Sequence, residues 1–365
     1  MLTAGALLAP AVPAAAAPTL RAKSVQGGLV NPWDVAFARG QRMLVTERPG
    51  RIRVFTGSGP RARLLHTTRV PRIRARGEAG LMGIAVDRSR HPRVFVCASR
   101  GVRGRWVNQV LRYNLGDDHR LRFEGYVIRS RMRANSIHNG CAVEMGPDGK
   151  VWVSMGDAGR AAAAQNPRSL NGKILRAEKS GRVPRHNPVL PGARRRSYAW
   201  SMGHRNRQGI AFKPGTLGVF AVEHGPDRDD EVNLIRKRGN YGWPCYTGRG
   251  HRYAGVPGGC RRVRGYRNPV WASGFPTLAT SGGSFTRGRR WDAYRGDLLV
   301  STLKESDVRR LRPRRRGRRM SPQARVLLNR RFGRLRAATR APGGNLMLTT
   351  SNGTNDRVVR VVPHR

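Results

Sequence analysis

The sequence predicts an all-β chain, a six-bladed β-propeller with four-stranded antiparallel blades, and three observations predict it. One pattern recurs six times: a short apolar run, a Gly-containing turn, and a second, more hydrophobic run ending in a small or charged residue. The runs are built from Val, Ile, Leu, Phe and Ala around Gly-marked turns, which favours repeated antiparallel hairpins over helices. The second runs, marked by Val45, Val96, Val153, Phe220, Val300 and Met347, recur roughly every 50 to 80 residues, room for four strands per unit. Six such sheets set radially close a propeller.

In chain order the pairs are NPWDVAF with MLVTE, GLMGIAV with VFVCAS, NGCAVEM with VWVSMGD, RQGIAF with VFAVEHG, TSGGSF with LLVSTLK, and RLRAAT with LMLTTS. In an antiparallel hairpin the start of the first strand lies beside the end of the second. That places Trp33 by Glu47, Glu78 by Ser99, His138 by Asp157, Arg205 and Asn206 by Glu223 and His224, Thr277 by Lys304, and Arg334 and Arg336 by Ser351. Nearly all are polar or ionisable, so one mouth of the channel is expected to carry a binding site.

A chain of 365 residues, 38% hydrophobic, is long enough for one large propeller, here residues 21–365, without a second domain. Residues 1–20, MLTAGALLAPAVPAAAAPTL, read as a signal-peptide-like or disordered segment, although no Lys or Arg precedes Arg21. Export is the expectation, to the periplasm, the cell surface or the medium. No later stretch is apolar enough to span a bilayer as a helix. Cys245 and Cys260 flank a Gly-rich loop that a disulfide would staple; Cys97 and Cys141 lie in successive repeats, where they either meet or stay as buried thiols. Without a C-x-x-C pair, zinc is not expected.

The formal net charge is +50, yet seven of the 71 basic residues are lysine and the arginines are scattered, with one dense run from Arg309 to Arg319 that holds no aromatic. Nucleic-acid binders gather charge on one face and interleave stacking aromatics. Nonspecific adhesion to anionic polymers is therefore expected, and specific nucleic-acid binding is not.

Four blocks carry chemistry. His138 facing Asp157 is a general base with its tautomer fixed by a carboxylate. His204, Arg205, Asn206 and Gln208 precede a strand, and a guanidinium beside an amide suits a carbonyl or carboxylate ligand. The Gly225–Pro226 turn with Asp227, Asp229, Asp230 and Glu231 gathers hard oxygens of the kind calcium takes. Lys304, Arg334 and Arg336 converging on one channel would hold a ligand with several carboxylates.

The blocks HNG with GPDGK and GD, LNGKILR, GHRNRQGIAF, EHGP with DDEVN, and GNYGWP, taken together in this order along the chain, resemble the glucose/sorbosone dehydrogenase family of soluble quinoproteins from about Val30 to the C-terminus. The resemblance implies a six-bladed propeller, pyrroloquinoline quinone (PQQ) and calcium. It implies that His138 is the base and Asp157 its supporting acid. Quinone contacts fall on Arg205, Asn206, Thr277, Lys304, Arg334 and Arg336, and calcium on the backbone oxygens of Gly225 and Pro226. Two positions depart from the pattern: Glu78 stands where the glucose-oxidising members have Gln, near the cofactor, and Cys141 where a Gly is expected. A long insertion before FPT found in some glucose enzymes is missing.

The implied reaction is oxidation of an aldose or sorbosone-like sugar at C1. Hydride passes to the quinone C5, His138 takes the hydroxyl proton, Arg205 and calcium stabilise the quinone oxygen, and an external cytochrome or quinone-type acceptor reoxidises the cofactor. Two rivals share the fold: a noncatalytic propeller binding glycans or polyanions, and a calcium-dependent lactonase. The set of His138, Asp157, Arg205, Lys304 and Arg336 argues against the first, and a mouth dominated by cations against the second.

Overall fold

In the computed structural model, residues 17–129, 132–255, 263 and 265–364 are described. Six four-stranded antiparallel sheets stand in a ring. Their innermost strands are Pro32–Phe37, Leu81–Val86, Gly140–Met145, Arg207–Phe212, Thr280–Phe285 and Leu335–Arg340. Each packs against the next, and the sixth returns to the first. We number the blades 1 to 6 in that order. The second strands are those marked by Val45, Val96, Val153, Phe220, Val300 and Met347, as the repeat predicts.

Closure uses both ends of the chain. Thr19–Leu29 forms the outer edge of blade 6, antiparallel to Asp356–His364, with Ser24 opposite Val359. Pairing begins at Thr19 opposite His364, two residues before the boundary expected from composition. Apolar clusters fill the spaces between blades: Val35, Met43 and Val45 meet Met347 and Val358, while Leu44, Ile52 and Val54 meet Val94 and Val96. The inner two strands of each sheet are buried on both faces, which is why they are nearly continuous apolar runs.

All six innermost strands slip register close to their first residue, between Pro32 and Asp34, Leu81 and Ile84, Gly140 and Val143, Arg207 and Gly209, Thr280 and Gly283, and Leu335 and Ala338. Such bulges bend a strand and re-aim the residues before it. Hydroxyls of the second strands bridge the gaps. Thr46 donates to the Met82 carbonyl at 2.6 Å and Ser154 to the Arg207 carbonyl at 2.8 Å, each reaching the neighbouring blade.

Cys97 and Cys141 are joined by a disulfide between blades 2 and 3, which excludes the free-thiol alternative. Cys141 has φ 71°, the left-handed backbone that normally selects glycine, so the residue standing where a Gly is expected keeps a glycine-like conformation and adds a cross-link. Cys245 is also disulfide-bonded, but Cys260 lies outside the described residues.

Inside the channel, burial raises the Asp34 carboxyl to about 7, against hydrogen bonds from the Val35 and Ile84 amides and the Thr339 hydroxyl. The folded protein holds this proton where the unfolded chain has released it, so its stabilisation is complete below the ordinary carboxylate range and lost as pH rises through about 7. Asp34→Asn is therefore expected to flatten the fall in Tm between about pH 5 and pH 8. Parallel wild-type and variant profiles would contradict this.

Candidate active site

The site is built at the mouth where the bulged strands begin. His138 precedes the inner strand of blade 3 with φ 54°, and its Nδ1 lies 2.9 Å from Asp157 Oδ1. The same oxygen accepts the Gly159 amide at 2.8 Å, and Asp157 Oδ2 accepts Trp243 Nε1–H at 2.7 Å. With its acceptor positions occupied and its side chain buried, Asp157 holds His138 with a proton on Nδ1 and leaves Nε2 as the free base. The close approach needs Gly156, where a Cβ would stand 2.0 Å from the His138 carbonyl oxygen.

Glu78 is not a free carboxylate waiting for a ligand. Its Oε2 accepts the His138 amide at 3.0 Å and the Asn206 side-chain amide at 3.0 Å, and Asn206 Oδ1 in turn accepts the Gly140 amide at 3.1 Å. Glu78 and Asn206 thus pin the backbone on both sides of the base, and Asn206 is buried behind it.

Arg205 lies over the Trp243 ring, its guanidinium carbon 5.4 Å from the centroid, and donates from Nη1 to the His224 carbonyl at 3.1 Å. Burial lowers its pKa, opposed by Asp157, Glu78 and Glu223. Its Nε is buried without a hydrogen-bond partner, a donor that an anion in the mouth would satisfy. Beneath it, burial would raise the Glu223 carboxyl, but Arg207, with His204, brings it down to about 2. Arg207 Nη2 meets Glu223 Oε2 at 2.7 Å with both side chains almost wholly buried. Glu231 is pushed well up by burial and by Glu223. His204 belongs to this support, with Nε2 2.8 Å from the Ser201 hydroxyl and the ring against Tyr241.

Arg336 is buried over Trp33, at 5.5 Å, and donates to Gln208 Oε1 at 2.6 Å. Burial, relieved by Glu78 and reinforced by Arg48 and Arg334, brings its pKa down to about 10, so it stays cationic at neutral pH. Lys304 and Arg334 are exposed at the ends of their hairpins, with Lys304 N–H on the Leu278 carbonyl and Arg334 N–H on Asn352. Thr277 spends its hydroxyl on Asp230 Oδ2 at 2.6 Å.

The acidic block is not a ready cation cage. Asp230 also accepts the Gly225 and Thr280 amides, Asp229 accepts from Thr247 and His251, and Glu231 accepts the Gly248 amide. Loop groups thus take most of the oxygens of these acids, with Asp229 Oδ1 left buried and unpartnered, and among the described residues no group of three His, Cys, Asp or Glu side chains is placed for a metal. What remains for calcium is backbone oxygen at Gly225, which already accepts His224 Nδ1 at 2.7 Å, and at Pro226.

Trp243 and Lys173 carry roles that the hairpin rule did not expose. Trp243 arrives from an excursion after the third strand of blade 4. Lys173 is fully buried, donating to the carbonyls of Ala163, Ala164 and Asn171 at 2.8 to 2.9 Å; this secures the loop after Asp157. The only signals were their places in GNYGWP and LNGKILR.

The profile of the Glucose / Sorbosone dehydrogenase family matches residues 29–360. Aldose sugar dehydrogenase YliI of Escherichia coli K12 is 29% identical over 361 residues, 96% of this chain and 94% of that one. Quinoprotein glucose dehydrogenase B of Acinetobacter calcoaceticus is 29% identical over 257 residues, 62% of this chain and 52% of that one. The PQQ-bound aldose sugar dehydrogenase of Streptomyces coelicolor superposes with a TM-score of 0.78 at 29% identity, covering 95% of this chain and 99% of that one.

The geometry predicts that ¹⁵N shifts of labelled His138 report a protonated Nδ1 and a bare Nε2 in the neutral ring. Asp157→Asn should mix the tautomers, because an amide can donate as well as accept. A wild-type ring protonated on Nε2 would contradict the assignment.

Proposed function

The chain belongs to the glucose/sorbosone dehydrogenase family, and from that premise we propose that it oxidises a reducing sugar, an aldose or sorbosone-like compound, at C1 with PQQ as electron acceptor. The observation that carries the reading is the His138–Asp157 contact at 2.9 Å at a mouth that also presents Arg205 with an orphaned buried Nε. PQQ, a polycarboxylate quinone, supplies the two-electron acceptor when bound. The donors fit it: Arg205 and Arg336 are held from behind by His224 and Gln208, and the exposed Lys304 and Arg334 have no carboxylate partner among the described residues.

The chain's own part is proton transfer and aim. His138 Nε2 takes the proton of the sugar C1 hydroxyl, and Asp157 stabilises the imidazolium through Nδ1–H. Such a positioned base is worth ~10²- to 10⁴-fold in rate. Glu78 and Asn206 fix the ring's height by holding its backbone. Arg205, desolvated against Trp243, offers a preorganised positive charge where negative charge develops. Calcium would rest on the Gly225 and Pro226 carbonyls, with the rest of its shell drawn from outside the side chains. An external acceptor of cytochrome or quinone type completes the turnover. The Cys97–Cys141 disulfide supports an oxidising compartment, hence export.

Protein reconstituted with PQQ and calcium is expected to reduce a dye in the presence of aldoses or sorbosone, with a primary isotope effect from sugar deuterated at C1 and no activity in His138→Ala. Trp243→Phe keeps a ring beneath Arg205 but deletes the donor to Asp157, and should lower kcat about 10-fold, the worth of one hydrogen bond to a charged group. Sugar-independent dye reduction, or full activity in His138→Ala, would overturn the reading.

A further inference from the structure

A cavity of about 890 Å³, with Asp157 in its wall, opens between the blade 2 hairpin tip and the loop that follows Asp157. Its lining includes Arg105, Trp106, Arg133, Asn135, Asp157 and Arg160. Arg105 and Trp106 lie where Arg93–Val102 turns into Arg105–Leu115. The cavity starts one side chain from the base, since Asp157 forms part of its wall and touches His138. At the upper end of the ~300–1,000 Å³ typical of small-molecule sites, it has room for more than the single ring being oxidised.

The charge in this cavity is one-sided. Arg105, Arg133 and Arg160 are exposed, and none of their guanidinium groups has a hydrogen bond or ion pair among the described residues. Elsewhere many arginines do: Arg51 and Arg53 meet Glu47, Arg112 meets Glu124 and Arg176 meets Asp148. Among the described lining residues the one carboxylate, Asp157, is committed to His138, Gly159 and Trp243, and the Asn135 amide to the Ala158 carbonyl. Three unneutralised planar forks beside an indole face suit a saccharide that stacks on Trp106 and carries carboxylates.

Resting on the dehydrogenase reading above, we propose that this cavity is a subsite for an acidic saccharide. The reducing unit sits at His138, and the adjoining uronate-type unit lies along Trp106 with its carboxylate among Arg105, Arg133 and Arg160. The substrate class is thereby narrowed to acid-bearing oligosaccharides with a free reducing end.

The test separates this subsite from the general basicity of the chain. Galacturonobiose and cellobiose are titrated calorimetrically into the wild type, into the triple variant Arg105→Gln, Arg133→Gln, Arg160→Gln, and into a control, Arg61→Gln, Arg90→Gln, Arg319→Gln, which removes the same charge from exposed positions elsewhere. The acidic disaccharide is expected to bind about 10-fold more tightly than cellobiose, the sum of three exposed ion pairs. That preference should vanish in the cavity variant and persist in the control. With the reconstituted enzyme, the ratio of kcat/KM for galacturonobiose to that for cellobiose should fall about 10-fold in the cavity variant alone. Equal losses in both variants, or no preference in the wild type, would overturn the subsite. If no sugar is oxidised while the acidic disaccharide still binds as stated, the dehydrogenase reading falls and the subsite stands.

Discussion

Six strands have to converge on one axis, and most of what is distinctive in this molecule follows from that constraint. At Gly83, Gly209 and Gly282 a Cβ would lie 2.4 to 2.6 Å from the backbone of the next inner strand, so at these three junctions the strands approach only because no side chain stands between them. The same crowding is met by a bulge near the start of every inner strand and by hydroxyls such as Thr46 and Ser154 that bridge blade to blade. The bulges turn the preceding loops toward the mouth. His138 is delivered there with a left-handed φ, next to the end of its partner strand, because the packing beneath allows no other course.

Around the base the polar groups form two layers. The outer layer, His138, Arg205, Lys304 and Arg334, keeps unused donors and acceptors. The inner layer is spent on holding them: Glu78 and Asn206 hold the loop of the base, Trp243 joins Asp157 to Arg205, and Glu223, paired with Arg207, secures the Arg205 backbone amide. A buried pair of this kind offers little net stability once desolvation is counted, but removing one partner leaves an uncompensated charge. Its role here is placement, since it ties the GHRN segment to the neighbouring strand.

The propeller and the His138–Asp157 contact were legible in the sequence because both follow from local hairpin register, which period-2 patterning and Gly turns specify well. Trp243 was not, because it reaches the site from an excursion whose path no local pattern encodes. The acids Asp229, Asp230 and Glu231 suggested a cation site, yet they accept from amides, hydroxyls and a histidine of irregular loops, a use of carboxylates that looks the same in a sequence as metal binding. Glu78 was read only as a residue near the cofactor, while its bond to the His138 amide depends on two loops meeting across blades. Within the dense Arg309–Arg319 run, Arg309 and Arg310 are paired with Asp307 and Asp297, pairings that no local pattern announces. The cysteine pairing stayed open because Cys97 and Cys141 lie in different blades, and only the angle between blades decides whether they meet.

The central claim is that the cationic mouth is a PQQ site, and equilibrium titration of PQQ into the purified protein with calcium, without any sugar, tests it most directly. The account predicts saturable binding with one PQQ per chain, a rise in Tm, and a large loss of affinity in Arg205→Ala and in Lys304→Ala. Binding that is absent, unsaturable, or indifferent to both substitutions would contradict it.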